Sequence, residues 1–169
     1  GRPPEPFSLP VAYDPDLSLA DQDLGGLATR LAASAARNWS LLLSGPSGTG
    51  KSAYARHLAE RLGIEIIEKR GSDLLGMFVG QTEMQLAQAF AEASRAGAML
   101  LIDEADDFLS DRRDAQRGWE RSMVNEMLRQ MDGLAAPFVA TTNLADQLDP
   151  ATRRRFTMHA EFRALDPQR

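Results

Sequence analysis

The chain has 169 residues, 43% of them hydrophobic and 25% charged, with a formal net charge of -5 and no cysteine. That composition suits one globular domain with its own buried core, and it excludes disulfides and thiolate metal sites. The acidic balance disfavours a surface that grips nucleic acid along its length, which needs clustered Lys and Arg. The longest purely apolar run, Ala98–Ile102, is far below the roughly 18 residues of a membrane span, so no bilayer partner is expected and a cytoplasmic setting is.

The opening "GRPPEPFSLP" is dense in proline and lacks the apolar stretch of a secretory signal. Residues 1–16 therefore read as a linker and 17–169 as the folded unit. Leu17–Arg37 reads as a helix, with Leu24, Leu27 and Leu31 at helical spacing. "WSLLLS", Trp39–Ser44, is a short apolar strand of the kind buried on both faces. After a glycine-rich loop, Ala55, Leu58, Ala59 and Leu62 repeat at helical spacing up to Gly63. Ile64–Lys69 is the second strand. Thr82 and Gln85 form a capping-box pattern for a helix reaching about Arg95.

"AMLLID" follows as the third strand. Trp119, Met123, Met127 and Met131 recur every fourth residue and predict a helix whose apolar stripe is core. Phe138–Thr142 and Met158–Phe162 are the fourth and fifth strands. Strands separated by helices imply right-handed crossovers, an α/β class and a largely parallel sheet covered on both faces. Ligands of such sheets sit at the carboxyl ends of the strands.

That is where the chemistry-bearing residues fall. "GPSGTGKS", Gly45–Ser52, lies between a strand and a helix. Gly45, Gly48 and Gly50 allow successive backbone N–H groups to face one anion, and the next helix adds its positive N-terminal end. Pro46, Ser47, Gly48, Thr49, Gly50, Lys51, Ser52 and Ala53 are the residues expected around ATP or ADP. Lys51 would reach the β- and γ-phosphates, and the Ser52 hydroxyl would bind Mg²⁺. The metal also needs a carboxylate at a neighbouring strand end, and "MLLIDEAD" provides one. Asp103 would organise the metal's coordination sphere, and Glu104 would orient and polarise the attacking water. Asp106 and Asp107 read equally well as carboxylates of the site and as ordinary exposed loop residues or helix caps. The two histidines, His57 and His159, have no matching ligand cluster.

Guanine specificity is not expected. "NLAD", Asn143–Asp146, stands where a guanine-reading motif would, but Leu144 replaces its lysine, and Asp106 replaces the glycine expected after the acidic strand.

The phosphate loop, the "DE" strand end, "VNEMLRQMDGL", "FVATTN" and "LDPATRRRF", in that order, resemble the large nucleotide-binding subdomain of an AAA+ ATPase, most closely the protein-remodelling AAA branch. The resemblance covers about residues 20–165. It implies a P-loop NTPase three-layer sandwich with a five-stranded parallel sheet in the order 5-1-4-3-2, and a homo-oligomer, usually a hexamer, with ATP at subunit interfaces. By that resemblance Asn143 is the polar sensor, and Arg154 and Arg155 are arginine fingers acting on a neighbouring subunit's site. Phe78, Val79 and Gly80 match the first pore loop, which grips a protein client. Asp111–Trp119 lies where a second pore loop would, and its charges equally suit a solvated loop. Arg153 stands where the family more often has an apolar residue and takes no role.

Family members follow the fifth strand with a small helical lid, whereas this sequence stops at Arg169. An excised subdomain with weak activity alone is the expectation. The leading reading is Mg-dependent ATP hydrolysis driving protein remodelling. The alternatives are a nucleotide-gated assembly scaffold with slow hydrolysis and a P-loop kinase of a small molecule. A nucleic-acid motor is disfavoured by charge.

Overall fold

The computed structural model describes residues 20–110, 118–144 and 147–164. The linker expected at 1–16 and residues 111–117 of the second-pore-loop segment lie outside these. In chain order the elements are α1 (Leu24–Ala33), β1 (Ser40–Ser44), α2 (Lys51–Leu62), β2 (Ile66–Arg70), a 3₁₀ turn (Gly71–Leu74), α3 (Gln81–Ala96), β3 (Met99–Asp103), α4 (Asp106–Leu109), α5 (Gly118–Asp132), β4 (Phe138–Thr142), α6 (Pro150–Arg155) and β5 (Met158–Glu161).

The five strands form one sheet in the order β2-β3-β4-β1-β5, with every pairing parallel. Read from the other edge this is the expected 5-1-4-3-2. The continuous apolar runs are explained by the two-residue period of a strand, which sends alternate side chains to opposite faces. Leu42, Leu100, Ile102, Phe138 and Ala140 pack with α3, α4 and the buried Met123, Met127 and Met131 of α5 on one face. Leu41, Leu43, Met99, Leu101 and Val139 pack with α1 and α2 on the other. Three layers result, with an apolar core on each side of the sheet.

Two local expectations are corrected. The first helix is shorter than Leu17–Arg37. Asp23 caps it by accepting the Gly26 N–H at 3.0 Å, and Ser34 ends it in an extended conformation. The Ser34 hydroxyl accepts the Ala36 N–H at 3.1 Å, a local alternative to continuing the helix. The capping box at Thr82 and Gln85 does not form. The helix begins two residues earlier, after Gly80 in a left-handed conformation. Thr82 Oγ1 accepts the Gly76 N–H at 2.8 Å, and Gln81 Oε1 accepts those of Met77 and Phe78 at 2.8 and 3.2 Å. The donors of the preceding loop have captured the side chains that would otherwise cap the helix. Gln85 Oε1 is left buried without a partner among the described residues.

Candidate active site

The carboxyl ends of β1, β3 and β4 converge on one open cleft of about 220 Å³. Ser47, Gly48, Gly50, Lys51, Ser52 and Ala53 line it from the loop and from the start of α2. Asp103, Glu104, Thr141 and Asn143 line it from the other strand ends. A larger cavity of about 310 Å³ sits at the opposite end of the sheet, between α3 and α5, where Phe90, Leu100, Pro137 and Phe138 contribute. It has no titratable side chain in its lining and is packing space at the amino ends of β3 and β4. Size and chemistry therefore point to different places, and the chemistry marks the site.

Backbone geometry shapes the loop. Gly45, Gly48 and Gly50 have φ of 134, 80 and 97°, which residues with a Cβ adopt only at a cost. Lys51 is the first residue of α2, so the unpaired N–H groups of a helix start open toward the cleft. The residue is 7% exposed. The ammonium donates to Gly45 O at 2.6 Å, Pro46 O at 2.8 Å and Asn143 Oδ1 at 3.2 Å. Burial pushes the Lys51 pKa below its ordinary value, opposed by the charges of Asp103, Asp106 and Glu104. Among the described residues this cation touches neutral oxygens and forms no ion pair. A desolvated charge without a direct ion-pair partner is costly, so the site suits an incoming anion.

The acidic strand end is held by hydroxyls. Ser52 Oγ and Thr141 Oγ1 donate to Asp103 Oδ1 at 2.7 and 2.5 Å. Thr141 Oγ1 also accepts the Glu104 N–H at 2.9 Å, and Thr141 O accepts that of Ala105 at 2.8 Å. Glu104 has φ 53°, alone among the described non-glycine residues in being positive. Such a conformation costs on the order of 1–3 kcal/mol and persists where surrounding contacts impose it. Asp106 Oδ1 accepts from Thr142 Oγ1 at 2.6 Å and from the Asn143 N–H at 3.2 Å. It thereby ties α4 to the end of β4.

Thr141 and Asp106 are the residues that the sequence reading did not assign. Thr141 had a signal, since a hydroxyl on a buried strand next to an acidic strand end needs a partner. Asp106 had none that separated it from an ordinary helix-start acid.

Ser52 and Asp103 offer hard oxygen ligands suited to Mg²⁺, which is commonly bound by one or two carboxylates together with substrate phosphates. No group of three acidic or histidine residues able to hold a metal occurs among the described residues.

The remaining candidates lie outside the cleft. Arg153, Arg154 and Arg155 end α6 and are exposed. Arg155 Nη1 donates to both carboxylate oxygens of Asp132 at 2.8 Å. Arg154 has no ion pair among the described residues. Phe78 and Val79 are 73% and 100% exposed, flanked by the exposed Met77. The Phe78 ring is therefore not tucked against its own domain.

Comparison with known proteins accords with this geometry. Residues 41–164 match the family described as ATPase family associated with various cellular activities (AAA). The chain is 35% identical to Protein SAV of Sulfolobus acidocaldarius over 133 residues, 75% of this chain and 17% of that protein. It is 36% identical to nuclear valosin-containing protein-like of Mus musculus over 119 residues, 68% of this chain and 14% of that protein. It is 34% identical to the cell division cycle protein 48 homolog of Archaeoglobus fulgidus over 135 residues, 76% of this chain and 18% of that protein. The chain thus spans less than a fifth of these relatives.

Proposed function

The chain belongs to the AAA family of ATPases, and on that premise we propose that it binds ATP with Mg²⁺ and hydrolyses it within an oligomer that remodels protein clients. The observation that carries the catalytic half is the convergence of Lys51, Ser52, Asp103, Glu104 and Asn143 on one cleft, with Thr141 joining Asp103 to the Glu104 N–H, Ser52 bonded to Asp103 and Lys51 bonded to Asn143.

The loop N–H groups and Lys51 bind and orient the phosphates. Ser52 and Asp103 would hold Mg²⁺, which when bound neutralises charge on the β- and γ-phosphate oxygens. Glu104 accepts a proton from the water whose oxygen bonds to the γ-phosphorus, as the bond to the bridging oxygen breaks and ADP leaves. Asn143 shares its amide oxygen with Lys51 and orients water or the γ-phosphate.

The described lining of this cleft contains no arginine. That favours a trans contribution from Arg154, with Arg155 joining once it exchanges Asp132 for phosphate. A guanidinium supplied in this way contributes on the order of 10³ to 10⁵ in rate. The exposed Phe78 and Val79 suit contact with an extended client, since an aromatic ring gains area and stacking without reading sequence.

The test is ATP turnover per subunit against protein concentration, on the full-length protein, with sizing at each point. Turnover that rises as subunits associate supports a shared site. Flat turnover by a monomer would reject the oligomeric reading. Transfer of phosphate to a small-molecule acceptor, rather than release to water, would favour a kinase.

A further inference from the structure

Among parallel neighbours in the sheet, Arg70, the last residue of β2, is paired with Asp103, the last residue of β3. The residues that immediately follow the two strands, Gly71 and Glu104, lie against each other. Gly71 is buried and opens the 3₁₀ turn that ends at the buried Leu74. A Cβ on Gly71 would stand 2.4 Å from the Glu104 carbonyl oxygen and 3.1 Å from Ala105 Cα, both backbone atoms. Gly71 is not among the glycines with positive φ, so its own backbone does not demand glycine. The space does.

The neighbour occupying that space is the strained residue of the site. Glu104 has φ 53°. From β4, Thr141 holds both of its flanking peptides, through the Glu104 N–H at 2.9 Å and the Ala105 N–H at 2.8 Å. β3 lies between β4 and β2 in the sheet, so the peptide at Glu104 is anchored from one side and abutted by Gly71 from the other. Hydrogen bonds from Thr141 fix the direction of the turn, and the missing side chain at Gly71 leaves room for the carbonyl it projects.

We propose that Gly71 is a positioning residue for Glu104: its lack of a side chain lets the Glu104 peptide take the left-handed turn that aims the carboxylate at the attacking water. The proposal rests on the catalytic reading of Glu104 above. A methyl group here must be relieved by about 1 Å, the gap between 2.4 Å and an ordinary contact of 3.4 Å. A misplacement of that size costs on the order of 100-fold in rate. The phosphate loop is on β1, two strands away from β3, so nucleotide binding is spared.

The experiment is a double-mutant cycle in the full-length protein, reading kcat for ATP and the dissociation constant of a fluorescent ADP analogue. Gly71→Ala is expected to lower kcat about 100-fold with ADP affinity within about threefold. In a Glu104→Gln background the same substitution should change residual turnover less than about twofold, because sites acting through one group are not additive. The same loss in both backgrounds, or an affinity that falls in step with kcat, would overturn the positioning role. Full turnover by Glu104→Gln alone would overturn the underlying catalytic reading, a result distinguishable from the first. If Gly71→Ala does not fold, Leu74→Val slackens the same turn from its buried end. A kcat loss of about threefold that vanishes beside Glu104→Gln is then expected, and no loss rejects the proposal.

Discussion

The ends of β3 and β4 and the loop after β2 all follow carboxyl ends of strands in one parallel sheet, yet they are built on opposite principles. At Asp103 and Asn143 the side chains, and at Glu104 the backbone N–H, are tied to Thr141, Ser52 and Lys51 within the chain, and the Asn143 N–H to Asp106. In the loop from Gly76 to Gly80 only the backbone is tied down, by Gln81 and Thr82, while Met77, Phe78 and Val79 face water. The first region is finished by the chain's own fold. The second has a fixed backbone and leaves its apolar side chains exposed among the described residues, and under the proposed function a client would cover them. Arg154 belongs with the loop in this respect, and Lys51 stands between the two, placed by the fold but facing neutral oxygens.

The largest effect is expected where the finished region meets the reaction. Glu104→Gln removes the proton acceptor and keeps the shape, so turnover should drop by about 10²- to 10⁴-fold while ADP affinity stays within about threefold. Steady-state hydrolysis with parallel binding measurements checks this, and a loss of binding equal to the loss of turnover would mean that Glu104 serves the fold. Next comes Thr141→Val, which keeps volume but removes the hydroxyl shared by Asp103 and the Glu104 N–H. An unsatisfied buried donor costs about 1–3 kcal/mol. A lower urea midpoint with unchanged slope should accompany slower turnover. Phe78→Ala tests the opposite pole: stability should stay within about 0.5 kcal/mol, as for an exposed side chain without partners, whereas stimulation of turnover by an unfolded client should be lost. A Phe78→Ala variant that melts early would place that ring in the protein's own packing and erase the contrast.

How much of this was legible in the sequence follows from the same division. The three-layer sheet and the phosphate loop were readable because local signals agree there: continuous apolar runs, glycines and a helix start all favour one arrangement. The strand order came from the family resemblance and was not readable from spacing. The capping box failed because Thr82 and Gln81 bond a loop that folds back on them, a choice between N–H donors that no local pattern ranks. Gly71 was silent for a related reason. Its neighbour Glu104 is 33 positions away, and only the β2–β3 register brings the two together. Thr141 and Asp106 likewise act across strands, through contacts of long sequence separation.

The smallest effect concerns Lys51, and it can show whether the fold alone completes this residue. Burial lowers its pKa from 10.5, while Asp103, Asp106 and Glu104 raise it less. Between the folded value and 10.5 the unfolded chain binds more protons, so this group's contribution to stability increases as pH rises through that window. Affinity for a phosphate anion moves the other way, because the neutral amine has lost the charge that attracts it. ADP binding should therefore weaken on an alkaline limb that begins below 10.5, while the urea stability of the chain, measured relative to Lys51→Met at each pH, improves over the same range. Below that limb both quantities should be flat as far as Lys51 is concerned. Opposite slopes would identify a cation held at a cost that a phosphate anion offsets; parallel slopes would mean that the carbonyls of Gly45 and Pro46 already complete it, and Lys51 would then belong to the finished region with Asp103.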